Sequence, residues 1–377
     1  MHDLQLALTS GIGPILARRL IAAMGSAQRV CEASIHELQL AEGIGTTRSR
    51  AIFQSLKEAA DAAPREMERA NQAGIEIISC DDPQYPPLLR TIPDPPLVLY
   101  LLGTIQPRDL HALAIVGSRR CSYYGREQAE RFAALLAGAG LTVVSGGARG
   151  IDSSAHRGAL SHPQGRTIAV LGCGVDVVYP PENAALFKQI AARGAVLSEY
   201  PLGTPPLQEN FPRRNRIVSG MSRGVLVVEA DERSGALITA SQCIDDHNRP
   251  VFALPGRVDN ALSTGPHELI RQGAVLTRGL DDILAELGPL PAELESTLPP
   301  LEPMESTEPP VLQSHSIPIS TTARQVLDQL DGRPISVDQL IEQTGLPAQQ
   351  ILQELTFLTL KGLVKRVDGQ SYARAKR

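Results

Sequence analysis

Between Ile115 and Asp152 the chain writes one local pattern twice. A short apolar run ends at Gly117-Ser118-Arg119-Arg120, a helical stretch follows, and a second apolar run ends at Ser145-Gly146-Gly147-Ala148-Arg149-Gly150-Ile151-Asp152. A strand that opens into a small-residue loop and then a helix puts backbone N–H groups and a helix start on one rim of a sheet, where phosphate binds readily. Arginines stand in both loops, so the pattern describes an anion site.

The same rhythm continues from about Leu110 to Leu287. Candidate strands are Leu113–Val116, Leu141–Val144, Thr167–Leu171, Ala195–Ser198, Gly224–Val228 and Pro250–Ala253, with helical patterns such as Arg126–Ala139 between them. Short Val/Ile/Leu runs alternating with helices imply an α/β domain whose parallel sheet is covered on both faces, an extended Rossmann-like, doubly wound architecture.

Other modules flank it. Two glycine-bounded turns, Gly11-Ile12-Gly13 and Gly43-Ile44-Gly45, each lead into a helical run, the form of a helix-hairpin-helix (SAM-like) module over 1–66. Such turns either bring backbone N–H groups to a DNA phosphate or simply reverse the chain. A strand-like Ile75–Ser79 precedes the proline-rich Pro83–Pro96, expected as an extended or turning strap on the domain over 70–287. From Asp281 to Ser316 there are seven prolines, eight Asp or Glu and no Lys or Arg. After a short helical start this reads as a disordered acidic linker, 288–317. Beyond it Thr321–Leu330, Val337–Thr344 and Ala348–Lys361 read as helices, and Leu363–Val367 with Ser371–Ala373 as a hairpin turning at Asp368-Gly369, a winged helix over 318–377. Its candidate recognition helix, Ala348–Lys361, carries one Lys, which leaves DNA and protein as partners equally open.

Charge has to be placed before it is interpreted. The net charge is −5, and setting aside the −8 of Asp281–Ser316 leaves +3 for the rest, compatible with a polyanion partner. No charged-then-apolar leader opens the chain and no run approaches the roughly 20 apolar residues that span a bilayer, so a cytoplasmic protein without membrane contact is expected. The five cysteines are scattered singly, with no Cys-x-x-Cys pair, which signals neither a disulfide framework nor a zinc site. Neither a metal nor a cofactor is called for.

The first loop lacks the Gly-x-Gly-x-x-Gly of dinucleotide sites and no Walker loop occurs, which disfavours nicotinamide, flavin and ATP chemistry. What remains is phosphate-holding equipment: the hydroxyls of Ser118 and Ser122, the amides of Gly117, Gly146 and Gly147, and the guanidinium groups of Arg119, Arg120 and Arg149. Phe211-Pro212-Arg213-Arg214-Asn215-Arg216 adds three arginines beside one aromatic ring, a cationic ledge with a stacking platform and no run of acids nearby to neutralise it. Asp152 and His156, four residues apart on the helix after the second loop, read as structural, Asp152 capping the helix and His156 closing its first turn. Glu199 and Glu229 end strands on the same rim without metal-ligand spacing or a nucleophile, and are expected to orient the arginines. A nucleotide hydrolase that cleaves nucleoside monophosphates is the alternative, with Glu199 or Glu229 beside Arg119 as its machinery.

The chain resembles the DNA-processing protein A (DprA/Smf) family. The resemblance runs in one order through Val116-Gly117-Ser118-Arg119, Tyr124-Gly125, Ser145 to Asp152, Ala155-His156, Gly172-Cys173-Gly174, Tyr179-Pro180, Ser198-Glu199, Phe211 to Arg216, Ser234 to Ala240, Pro255-Gly256 and Leu269-Ile270-x-x-Gly273-Ala274. It implies a non-catalytic protein that binds single-stranded DNA, dimerises, and helps load RecA recombinase on DNA taken up in natural transformation. By motif position Gly117, Ser118, Arg119, Ser145, Gly146 and Arg213 to Arg216 would hold the DNA backbone, with Phe211 the candidate for base contact. The dimer contact would fall within His267 to Leu276, including Leu269 and Ile270. Where the family often has Ser-Gly-Leu-Ala, this chain has Ser-Gly-Gly-Ala-Arg, and Arg149 is expected to alter the groove.

Overall fold

The structure is a computed structural model that describes residues 1–288, 321–330, 335–360, 363–366 and 371–374. The expected linker, apart from Gly288, and the expected turn at Asp368-Gly369 lie outside the described residues. The chain divides into two compact units, Met1–Pro300 and Leu301–Arg377.

The first unit opens with five helices: α1 (His2–Leu8), α2 (Pro14–Met24), α3 (Ala27–Glu32), α4 (Ile35–Gln39) and α5 (Thr46–Gln72). Local chemistry sets their ends. Pro14 starts α2 where its missing N–H is not needed, and Gly25 closes it at φ 89°. Ser34 and Glu37 form a reciprocal capping box on α4. Leu6, Leu20, Val30, Leu38, Ile52 and Leu56 pack between these helices. α5 runs through the boundary expected at 66. Its later residues Ala63 and Ala70 bury against Tyr100 and Leu171 of the sheet domain, and the Glu66 carboxylate accepts the Leu202 N–H at 2.7 Å.

The sheet domain follows as β1 (Glu76–Ser79), α6 (Pro87–Arg90), β2 (Val98–Gly103), β3 (Ala112–Val116), α7 (Tyr123–Gly138), β4 (Thr142–Ser145), α8 (Ile151–Ser161), β5 (Thr167–Val170), α9 (Ala184–Arg193), β6 (Ala195–Ser198), α10 (Asn210–Gly220), β7 (Val225–Val227), α11 (Gly235–Ser241), β8 (Val251–Ala253), α12 (Thr264–Arg271), β9 (Val275–Leu276) and α13 (Leu280–Leu287). Nine strands form one sheet in the order β1-β2-β6-β5-β4-β3-β7-β8-β9. From β6 to β9 every pairing is parallel; β1 and β2 add an antiparallel margin. Strand alternation sends Leu113, Ile115, Val143 and Leu226 to one core and Ala114, Val116, Val144 and Val225 to the other, which is why these strands read as unbroken apolar runs.

The doubly wound sheet with flanking helices is therefore as expected, with three local differences. β2 and β9 went unread in the sequence, β2 because Pro95 and Pro96 abut it and β9 because it is two residues long. The proline-rich strap is not wholly extended: α6 makes one helical turn within it, and Tyr85, Leu89 and Ile92 are buried in the core.

The second unit contains α14 (Thr321–Gln329), β10 (Ile335–Ser336), α15 (Val337–Thr344), α16 (Ala348–Leu360), β11 (Val364–Arg366) and β12 (Ser371–Arg374). Its three strands pair antiparallel in the order β10-β12-β11 around a core that includes Val326, Leu340, Ile351, Leu355 and Val364. This is a winged helix with one more strand than the hairpin expected.

A buried ion pair braces the sheet at the opposite end from the loops after β3 and β4. Arg166, just before β5, forks onto Asp109 at 2.6 and 2.8 Å, and Asp109 also accepts Thr142 Oγ1 and the Gln106 N–H, each at 2.8 Å. Only 3% and 4% of the two side chains are exposed, so removing one leaves the other uncompensated. Asp109→Ala is expected to lower unfolding free energy by about 3–5 kcal/mol, read as a lower urea midpoint at unchanged slope.

Candidate functional site

β4, β5 and β6 are laid down on one side of β3, and β7, β8 and β9 on the other, so the chain changes direction at the β3–β7 boundary. The crevice outside the carboxyl ends of such strands is where open α/β sheets bind ligands. A cleft of about 800 Å³ lies there. Its walls come from the loop after β3 (Gly117 to Arg120), the loop after β4 (Gly146, Ala148), the first turn of α8 (Asp152), Tyr179, the first turns of α10 (Phe211, Arg214, Asn215), and the segment from Asp231 to Thr239.

One wall carries a stacked arrangement. The Arg119 guanidinium lies 5.0 Å from the Phe211 ring centroid, and the Tyr179 ring lies 5.6 Å from Phe211 at 40°. Phe211 is half-buried and Arg119 exposed. Arg120 and Arg213 are also exposed, as is Arg233, and among the described residues no protein group hydrogen-bonds or ion-pairs with the guanidinium of any of these. Arg120 and Arg233 line the cleft, whereas Arg213 does not.

The floor departs from the expected ledge of three open arginines. Arg214 is only 3% exposed; its Nη1 donates to the carbonyls of Gly146, at 2.5 Å, and of Val170. Asp152 faces it. Burial pushes the Asp152 carboxyl up, opposed by the Arg214 charge, and pushes the Arg214 guanidinium down, opposed by Asp152. Arg216 is buried on another side of α10, paired with Asp94 at 2.9 Å and Glu199 at 2.5 Å. Asp94 stands far away in sequence and close in space, and Glu199 is one of the two acids expected to orient the arginines. A helix displays consecutive residues about 100° apart, so neighbouring arginines on α10 serve different surroundings.

The small and hydroxyl residues are also more structural than expected. Ser145 is fully buried and donates to the Ile115 carbonyl at 2.6 Å. Ser122 caps α7, accepting the Gly125 N–H at 3.0 Å and donating to Glu229 at 2.6 Å. Ser118 lines the cleft, but its Oγ accepts the Arg120 N–H at 3.1 Å. Gly147 is buried and turns away from the cleft lining. Gly146 is required by close approach: a Cβ there would lie 2.5 Å from the Arg214 guanidinium and 2.6 Å from Asp152. Asn215 donates to the Gly235 carbonyl at 3.2 Å, tying α10 to α11. Arg149 is exposed and lies outside the lining, its guanidinium forked onto Glu182.

Asp152 accepts the Ala148 N–H at 3.2 Å and so holds the loop before α8. His156 does not close that turn; its Nδ1 meets Thr167 Oγ1 at 2.7 Å in a fully buried setting. Thr167 Oγ1 already donates to the Val143 carbonyl, so Nδ1 is the donor in this contact. Glu199 holds Arg216, as an orienting acid would, but Glu229 holds Ser122; neither carboxylate lines the cleft. Of the residues expected at a dimer contact, Leu269 is buried in the core, His267 bonds the Gly256 carbonyl at 3.1 Å and Ile270 is half-buried. Leu276, 45% exposed on edge strand β9, remains available. Among the described residues no group of three or more His, Cys, Asp or Glu could hold a metal, and no helix is long and apolar enough to cross a membrane.

Sequence reasoning passed over Tyr179 and Arg233 as site residues. Arg233 follows the strand beside β3, at the point where the sheet order reverses, and that placement was its only signal.

Fold and cleft define an α/β protein with a cationic cleft at its topological switch point, preceded by a helical module and followed by a winged helix. A family model described as DNA recombination-mediator protein A matches residues 76–288, and one described as DprA winged helix domain matches 306–370. The chain belongs to the DNA recombination-mediator protein A (DprA/Smf) family. Protein Smf of Synechocystis sp. is 36% identical over 97% of this chain and 96% of its own length. The X-ray structure of DNA processing protein A from Streptococcus pneumoniae superposes with a TM-score of 0.67 at 34% identity, covering 77% of this chain and 97% of that one. A Helicobacter pylori DNA processing protein A, solved to describe its single-stranded DNA binding mode, matches with a TM-score of 0.50 at 30% identity over 56% of this chain and 95% of that one.

The buried histidine carries a pH signature. Burial lowers His156 to about 3 from the ordinary 6.5, so the fold favours its neutral form. Its contribution is complete above pH 6.5 and is lost as pH falls from there toward 3. His156→Asn, which keeps a donor toward Thr167, is expected to flatten the decline of the urea midpoint between pH 6.5 and 4.5 relative to wild type, whatever it costs at pH 7.5.

Proposed function

We propose that the cleft grips a single DNA strand by its phosphates and stacks one unpaired base on Phe211, and that the protein is a non-catalytic mediator that passes the strand to RecA recombinase. The observation that carries this reading is the half-buried Phe211 ring against Arg119 and Tyr179, on the wall of a cleft that the unpaired guanidinium groups of Arg119, Arg120 and Arg233 line. A ring that accepts any base and arginines that follow a backbone are what a sequence-tolerant single-strand groove needs. Duplex DNA keeps its bases stacked and cannot offer one to Phe211. The single-stranded DNA binding of the Helicobacter pylori relative supports the same ligand. The nucleotide-hydrolase alternative is not favoured: both rim carboxylates are spent on structural partners, and burial pushes Glu199 up while Arg216 opposes the shift.

A homodimer formed through the β9 edge, with Leu276 at its centre, fits the same role, since two clefts on one strand raise the effective concentration of the second contact. Handing the strand on requires the grip to be reversible, and phosphate contacts made by exposed side chains meet that need.

Binding to single strands is expected to exceed binding to duplex of equal length and to weaken with salt. Each phosphate on a single strand contributes about 0.7 to the slope of log K against log salt, so the three unpaired arginines that line the cleft, Arg119, Arg120 and Arg233, set a slope of about −2. Arg119→Ala should lower affinity about tenfold at unchanged thermal stability, whereas Arg214→Ala should also destabilise the fold, on the order of 3 kcal/mol, because the buried Gly146 and Val170 carbonyls lose their donor and Asp152 loses the charge that opposes its burial. Fluorescence anisotropy alongside thermal melts separates the two. Equal affinity for single and double strands would sink the reading, and failure to speed RecA assembly on single strands would remove the mediator role. Release of base from nucleoside monophosphates would restore the hydrolase.

A further inference from the structure

The β4–α8 loop supplies one more arginine than the cleft uses. Arg149 stands outside the lining, and its guanidinium forks onto Glu182, with Nη2 to Oε2 at 3.1 Å and Nε to Oε1 shorter still. Both side chains are about half exposed, at 52% and 51%. They join the two loops on one side of the cleft, since Ala148 and Tyr179, each lining it, are close neighbours in sequence of Arg149 and Glu182. The ion pair also shifts both groups: Glu182, and more weakly Tyr179, raise Arg149, and Arg149 lowers Glu182.

A guanidinium fork that accepts two carboxylate oxygens accepts two phosphate oxygens with the same geometry. An exposed ion pair contributes little to stability, so exchanging its carboxylate for a phosphate costs little. A strand held with a base on Phe211 passes Tyr179, whose ring abuts Phe211, and three residues after Tyr179 stands Glu182. Pro180 and Pro181 restrict the backbone between them, so the Glu182 backbone stays beside the cleft while its half-exposed side chain can turn away from Arg149.

We propose that Arg149 is a further phosphate position beside the cleft, held in the unbound protein by Glu182 as a carboxylate competitor, so that strands long enough to run past Tyr179 displace Glu182 and shorter ones do not. The inference rests on the single-strand reading of the cleft. It assigns to Glu182 the setting of strand length and affinity: the acid weakens the grip of long strands and leaves short ones alone.

The experiment measures anisotropy of labelled oligothymidylates of about 4 and about 16 nucleotides, the span of common single-strand footprints, on the full chain carrying no change, Glu182→Gln, Arg149→Gln, or both. The expected result is that Glu182→Gln tightens the longer strand several-fold, steepens its salt slope by up to about 0.7, and leaves the shorter strand unchanged. Arg149→Gln should weaken the longer strand, and adding Glu182→Gln to it should restore nothing. Thermal melts of all four proteins should coincide, as the pair is exposed.

Two results overturn the proposal. If Glu182→Gln has no effect on the longer strand, the pair is a surface contact without a role in binding. If it tightens both lengths, or tightens equally with Arg149 removed, Glu182 merely repels polyanions at a distance. Loss of single-strand binding in the unaltered protein would instead defeat the reading of the cleft itself, whereas retained binding with either result above defeats only the assignment to Arg149 and Glu182.

Discussion

The cleft depends on a guanidinium that has been taken out of water. Arg214 reaches from α10 under the loop after β4, bonds the Gly146 and Val170 carbonyls, and faces the Asp152 carboxylate that in turn holds the Ala148 N–H. One side chain therefore joins the ends of β4 and β5, the start of α8 and the start of α10. Polar backbone at strand ends must find partners when buried, and here a single arginine supplies them. Gly146 is the other half of the arrangement, since any side chain at that position would occupy the space of the guanidinium. With the floor held in this way, Phe211 emerges from the same helix at a defined angle to Arg119 and Tyr179, and the stacking wall follows from the floor.

This explains which parts were legible in the sequence. The parallel strands announced themselves because both faces of the sheet are covered, so that Leu113–Val116 or Ala195–Ser198 read as unbroken apolar runs. The β3 loop and Phe211 were legible because their chemistry is local: an arginine after a strand end, an aromatic ring at a helix start. What could not be read was the fate of each arginine on α10. Arg213, Arg214 and Arg216 look alike in sequence, yet one is free, one braces the floor and one is neutralised by Asp94 and Glu199. Those partners lie well outside any local window, and only the sheet order brings them together. Ser145 and Ser122 misled for the same reason, their hydroxyls being claimed by Ile115 and Glu229. Leu269, expected at a dimer contact, shows how an apolar residue near an exposed edge can belong wholly to the core.

Electrostatics ties the floor to the ligand. Burial pushes the Asp152 carboxyl up while the Arg214 charge opposes the shift, and Arg119, Arg120 and Arg233 add positive charge to the cleft above. An anion entering the cleft meets a field prepared by groups already desolvated or already fixed, so little reorganisation opposes its arrival. Its charge also offsets the cost of keeping Arg214 buried. Occupancy of the cleft and stability of the sheet rim are therefore linked, because a ligand that binds only the folded state stabilises it in proportion to its concentration over its dissociation constant. On the proposed single-strand reading, the same linkage makes Arg214 a poor site at which to tune affinity and the exposed arginines good ones: changes at Arg119, Arg120 or Arg233 would alter the grip without disturbing what holds the cleft open.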